Sequence, residues 1–119
     1  KKRIKLANYY LKELRTVGDI ILPKTAKNST HVFHVFTVRT QKRDKLKYYL
    51  EKNGIQTLIH YPIPPHLQLA YKHLGYRKGD FPIAEELAST SISLPIYPEM
   101  TRKHIEYVVK KIKSFYKNE

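Results

Sequence analysis

The sequence predicts an α+β domain, a small sheet of about three strands with helices packed against it. Three observations carry this. Ile105, Val108, Val109, Ile112, Phe115 and Tyr116 recur with the period of an α-helix. The run 31–39 is β-branched or aromatic and apolar on both faces at Val32, Phe33, Val35, Phe36 and Val38, as a covered or central strand would be. Between these segments, helical and strand-like stretches alternate in the order α-β-α-β-α-α-β-α. That order leaves strand direction open, since the helix before Gln56 serves a parallel crossover or an antiparallel split pair equally well.

Taken in order, residues 1–16 read as a helix with Ile4, Ala7, Leu11 and Leu14 on one side, stopped before Gly18. Residues 19–30 form a loop around Pro23, and 31–39 is the best strand. A second helix covers 40–53. Thr40 is its N-cap, Asp44 lies in its first turn, and Gly54 ends it in left-handed geometry. Residues 55–60 make a short strand and 67–74 a short helix ended near Gly75. Asp80 is a candidate cap for a helix over 83–89, and 91–95 is a short buried strand. Thr101 caps the terminal helix, whose other face carries Arg102, Lys103, Lys110, Lys111 and Lys113.

Composition sets the outer limits. At 119 residues the chain is one domain, and a hydrophobic content of 41% with 28% charged residues is that of a globular protein. The absence of cysteine removes disulfides and thiolate metal sites, and fits a reducing compartment, hence a cytoplasmic expectation. No apolar run approaches the roughly 20 residues of a membrane span, and Lys1-Lys2-Arg3 leads into an amphipathic segment rather than a signal peptide. The net charge of +13 raises a basic nucleic-acid-binding module as the alternative function. The lysines, however, are scattered over several helical stretches rather than gathered with planar aromatics on one face, so nucleic acid is not the expected partner.

The segment Gly54-Ile55-Gln56-Thr57-Leu58-Ile59-His60-Tyr61-Pro62-Ile63-Pro64-Pro65-His66 is the candidate site. An apolar strand-like run delivers His60 and Tyr61 into a proline-stiffened turn, with His66 beyond it. Proline fixes φ and biases the preceding residue to extended geometry, so this loop loses little entropy on ordering. Imidazole and phenol both donate and accept hydrogen bonds at neutral pH, which suits a polar, anionic ligand. The competing reading makes the histidines turn residues that satisfy backbone groups, and packs Tyr61 under the turn.

Other constellations are weaker. His60, His66 and His73 lack the spacing and the carboxylate of a zinc site. Arg77-Lys78-Gly79-Asp80 reads as a solvated turn. Glu85 and Glu86 are adjacent on a helix and therefore diverge by about 100°. His31 and His34 are placed at the edge or end of their strand.

The blocks Arg43-Asp44-Lys45-Leu46, Gly54 to His66, Phe81 to Ser89 and Ser93 to Thr101 follow one another in an order and spacing that together resemble the DegT/DnrJ family of sugar aminotransferases. The Gly54-to-His66 segment is similar to its HYP-x-P-x-H motif, and Arg43-Asp44-Lys45-Leu46 through Gly54-Ile55 to its R-D-x-L … G-I helix. Phe81-Pro82-Ile83-Ala84-Glu85-Glu86-Leu87-Ala88-Ser89 and Ser93-Leu94-Pro95-Ile96-Tyr97-Pro98-Glu99-Met100-Thr101 resemble the helix and the S-L-P signature that precede its terminal helix.

The resemblance implies the C-terminal small domain of a fold-type I, pyridoxal-phosphate-dependent aminotransferase, with 1–16 as a connecting helix and 31–119 as the small-domain core. Such enzymes move an amino group from glutamate to a nucleotide-linked keto sugar, and a homodimer is expected of the intact protein. The Gly54-to-His66 segment leans toward members acting on 3-keto sugars. The resemblance also places the Schiff-base lysine in a large domain without counterpart here. This chain alone is therefore expected to hold no cofactor and to be inactive. Ser114-Phe115-Tyr116-Lys117 is only superficially similar to the family's lysine segment, because no glycine-rich turn follows it. His60, Tyr61 and His66 are then the expected substrate-binding residues.

Overall fold

The computed structural model describes residues 1–118. Its elements are α1 (Lys2–Glu13), β1 (Phe36–Arg39), α2 (Arg43–Lys52), 3-10 turns at Pro65–Leu67 and Leu69–Leu74, α3 (Pro82–Thr90), β2 (Ser91–Leu94) and α4 (Arg102–Lys117). The architecture is helices around a small antiparallel sheet.

β1 and β2 pair antiparallel, with Thr37 opposite Ser93 and Val38 opposite Ile92. This settles the open strand direction. The third strand expected over 55–60 reduces to one bridge. Leu58 N–H donates to the Ser93 carbonyl at 3.2 Å, and Ser93 N–H donates to the Leu58 carbonyl at 2.7 Å. On the opposite edge Ile21 bridges Arg39. A two-stranded sheet thus carries a single pairing residue on each flank.

The strand expected over 31–39 begins only at Phe36. Phe33 adopts φ of 50°, and its N–H donates to His31 Nδ1 at 2.9 Å. This local side-chain bond offers the backbone an alternative to the sheet ladder. Phe33 is nevertheless buried, stacking toward Phe36, so its apolar character serves the core from a turn.

The core lies between the sheet, α1, α2 and α4. Phe36, Val38, Ile92 and Leu94 meet Leu46 and Leu50 of α2, Ala7 and Tyr10 of α1, and Ile105, Val108, Val109, Ile112 and Phe115 of α4. The terminal stripe faces this core, as its period requires. Tyr10 is fully buried, and its hydroxyl donates to the Pro95 carbonyl at 2.9 Å, tying α1 to the end of β2. Thr101 caps α4, its hydroxyl accepting from His104 N–H, and His104 reaches back to the Thr101 N–H.

Thr40 is not the cap of α2, which starts at Arg43 after Lys42. Its buried hydroxyl donates to Asp19 Oδ1 at 2.6 Å and accepts from Lys42 N–H, while Asp19 Oδ2 accepts from Gln41 N–H at 2.8 Å. A carboxylate from the loop after α1 therefore holds the turn that leads into α2. Among the described residues no helix is long and apolar enough to cross a membrane.

Candidate functional site

The Leu58–Ser93 bridge fixes where the proline loop leaves the sheet. Along 55–58 side chains alternate, with Ile55 and Thr57 buried and Gln56 and Leu58 exposed. His60, two residues beyond Leu58, therefore falls on the exposed side of the sheet edge. Its Nδ1 lies 2.9 Å from Ser93 Oγ, and Ser93 Oγ lies 2.8 Å from Thr37 Oγ1. The His60–Tyr61 peptide is cis. Tyr61 is 71% exposed, its ring edge-on to His60 at 5.6 Å.

His60 opens onto a cleft of about 160 Å³ whose walls include His34, Gln56, Leu58, Ser93 and Pro95. Gln56, Leu58 and Pro95 also border a larger cavity of about 550 Å³, closed by Tyr97, Met100, His104 and Tyr107. Two imidazoles, His34 and His60, thus share a recess at the sheet edge. Both can donate or accept, so the recess suits hydroxyl, carbonyl or phosphate oxygens.

His66 is not brought to this recess. It is buried, its Nε2 lies 3.0 Å from Glu85 Oε1, and its ring packs on Phe81 at 4.9 Å. Glu85 also accepts from Gly79 N–H at 2.7 Å. That backbone donation, with the His66 bond, holds the Glu85 carboxyl below the ordinary carboxylate range despite its desolvation. His66 therefore joins the proline loop to the start of α3. Glu86 points elsewhere, pairing with Arg39 at 3.2 Å, so the two adjacent carboxylates diverge as their helical spacing demands.

His34, expected only at the edge or end of its strand, lines the cleft instead. The turn at Phe33 is what aims it at the cleft. A histidine inside an otherwise apolar run was the available signal. Arg77 N–H donates to Asp80 Oδ2 at 2.8 Å, closing the expected polar turn. Among the described residues, no group of three or more His, Asp or Glu side chains gathers as a metal site. Lys117 is exposed on α4, on a shallow groove with Tyr9, Glu13 and Lys113, the last two already ion-paired at 2.7 Å.

Comparison with known proteins identifies the family of the chain. The family model of the DegT/DnrJ/EryC1/StrS aminotransferase family matches residues 1–113. A "pleiotropic regulatory protein" of Geobacillus stearothermophilus is 44% identical over 103 residues, 86% of this chain and 28% of that protein. A dTDP-3-amino-3,6-dideoxy-alpha-D-galactopyranose transaminase of Aneurinibacillus thermoaerophilus is 42% identical over 114 residues, covering 96% of this chain and 31% of its own length. The crystal structure of S. venezuelae DesV in complex with a ketimine intermediate superposes with a TM-score of 0.94 at 40% identity, over 97% of this chain and 31% of DesV. The chain thus spans between 28% and 31% of the length of these relatives. With a matching family model over nearly its whole length and relatives above 40% identity, the chain belongs to the DegT/DnrJ/EryC1/StrS aminotransferase family.

Proposed function

We propose that this chain is the sugar-facing, C-terminal part of an aminotransferase that moves an amino group from glutamate to a nucleotide-linked keto sugar, in a homodimeric cytoplasmic enzyme. The observation that carries the reading is the placement of His60 and Tyr61. One opens on a recess shared with His34, the other stands beside it in solvent, and both sit on a loop anchored to the sheet through Leu58.

Pyridoxal phosphate carries the amino group in this family, and Lys117, whose segment is superficially similar to the family's lysine segment, does not fit it. Lys117 stands in an open groove beside Lys113, whose ammonium already pairs with Glu13. We therefore assign the cofactor's lysine to the part of the enzyme outside this chain, and route no step through the cofactor here. What these residues do is bind and orient. A hydrogen bond from imidazole or phenol to a sugar hydroxyl contributes about 1 kcal/mol, and more to a pyrophosphate oxygen. Holding the keto carbon within reach of an amine is worth more than any single bond. His66 supports the loop from behind through Glu85 and Phe81.

The 3-amino product in the name of the Aneurinibacillus relative supports amination at the 3-position. The test is to supply the full-length protein with glutamate and nucleotide-linked 3-keto and 4-keto sugars, and to identify amino sugars by mass spectrometry. Amination of the 3-keto sugar is expected. Amination of neither sugar would contradict the reading.

A further inference from the structure

The side chains of Thr37, Ser93 and His60 form an unbranched hydrogen-bonded chain that crosses three neighbouring segments. Thr37 and Ser93 are register partners on β1 and β2, and Ser93 is in turn bridged by Leu58. Residues opposite one another share a face, and so does a residue two further along a strand, within diagonal reach of a long side chain. His60 occupies that diagonal position. Its Nδ1 meets Ser93 Oγ at 2.9 Å, and the outer hydroxyl of Thr37 meets the same oxygen at 2.8 Å. Ser93 is buried, whereas His60 is exposed and lines the cleft.

We propose that Ser93, backed by Thr37, is a positioning residue for His60: it fixes the imidazole at the cleft and couples the ring's tautomer to the direction of the Ser93–Thr37 hydrogen bond. The reason is hydrogen-bond arithmetic. A serine hydroxyl has one proton to give and accepts through its lone pairs. If Ser93 donates to His60 Nδ1, it accepts from Thr37, and the neutral ring carries its proton on Nε2. If His60 Nδ1–H donates to Ser93, the Ser93 hydroxyl donates in turn to Thr37 Oγ1, and Nε2 is left with a lone pair. Both arrangements keep every heavy atom in place. Nε2 therefore presents either a donor or an acceptor to the cleft, according to what it meets. A carbonyl or phosphate oxygen selects the first state, a sugar hydroxyl either one.

A purely structural cross-strand pair makes a different prediction. Thr37 and Ser93 would then hold the strands together, and their loss would lower stability without altering the tautomer of a ring on an exposed loop. The proposal concerns the ring itself; only the identity of what Nε2 meets rests on the sugar-binding reading above.

The experiment uses the full-length protein labelled with ¹⁵N in its histidine rings, with long-range ¹H–¹⁵N spectra of His60 assigned by their loss in His60→Gln. In Ser93→Ala the Nδ1 signal is expected to lose its hydrogen-bonded position and the tautomer ratio to change. In Thr37→Val, an isosteric change, the Ser93 proton has Nδ1 as its remaining acceptor in the chain, so the Nε2–H tautomer is expected to rise. The half-reaction with the sugar should slow roughly three- to tenfold in Ser93→Ala, with the glutamate half-reaction within about twofold of wild type. Unchanged His60 spectra in the folded variants overturn the proposal; if Ser93→Ala does not fold, Thr37→Val alone decides. Altered spectra with an unchanged sugar half-reaction uphold the positioning role and overturn the assignment of His60 to the sugar.

Discussion

The ring of Tyr116 lies so close over Gly18 that a Cβ on the glycine would collide with Tyr116 Cδ1. The contact joins the loop after α1 to the last turns of α4. It also places the Tyr116 hydroxyl where it donates to Asp19 Oδ1 at 2.7 Å. Gly18 has φ of 54°, so both its backbone and its lack of a side chain are required.

Gly18→Ala is accordingly expected to destabilise the protein by about 2–4 kcal/mol, combining left-handed strain with overpacking. Gly75→Ala is the control. Gly75 also has positive φ, 77°, but a Cβ there meets nothing within 4 Å. Its loss should be about 1 kcal/mol, from backbone strain alone. Equal losses in denaturant titrations would show that the Tyr116 contact is not what excludes a side chain at Gly18.

Acid should weaken the fold through Asp19 and Glu85. Burial raises the Asp19 pKa, but donation from Thr40, Tyr116 and Gln41 outweighs it, leaving the pKa below its ordinary value. Glu85 is lowered chiefly by the Gly79 N–H. A folded pKa below the unfolded one contributes stability that is complete above the unfolded value, about 4, and is lost as pH falls through the folded value. Denaturation profiles measured from neutrality down through that range should be flatter in Asp19→Asn and Glu85→Gln than in wild type. An unchanged slope in both variants would remove these carboxylates from the acid transition.

In α4 the apolar stripe should dominate stability. Ile112 is fully buried, and Ile112→Ala is expected to cost about 2–4 kcal/mol. Lys110 on the exposed face should tolerate alanine within about 0.5 kcal/mol.

Thr57 offers the opposite sign. Its buried Oγ1 has no hydrogen-bond partner among the described residues, so the hydroxyl was desolvated without compensation. Thr57→Val keeps the shape and removes the orphan group. Stability should be unchanged or raised by up to about 1–2 kcal/mol. A clear loss on thermal denaturation would mean that the hydroxyl is satisfied in solution.

The parts of this fold legible in the sequence are those governed by one local rule. The stripe from Ile105 to Tyr116 obeys a single period, and α4 appears where it predicts. Gly75 likewise marks the end of the second 3-10 turn, whereas Asp80, the expected cap of α3, accepts from Arg77 N–H instead and leaves Phe81 as the N-cap. Composition misled where a local bond beat the ladder. The apolar run 31–39 looked like one strand, yet the His31–Phe33 bond turns its first half away. The anchor of the turn before α2 was equally hidden, because Asp19 reaches Gln41 from 22 positions upstream. His60 and Tyr61 stood out as polar rings at a proline turn. The Ser93–Thr37 pair behind His60 did not, since a register joining residues 56 positions apart leaves no mark in either segment.

The central claim is that the His60–Tyr61 loop meets the sugar. Single-turnover rates of the two half-reactions in the full-length enzyme test it most directly. Tyr61→Phe removes one hydroxyl from a residue that is 71% exposed, so its fold and the cofactor spectrum should be preserved. The sugar half-reaction of Tyr61→Phe and of His60→Ala is expected to fall about ten- to a hundredfold, with the glutamate half-reaction much less affected. Equal losses in both half-reactions, or a collapsed cofactor absorbance, would contradict the account and make the loop a support for the enzyme rather than its contact with the sugar.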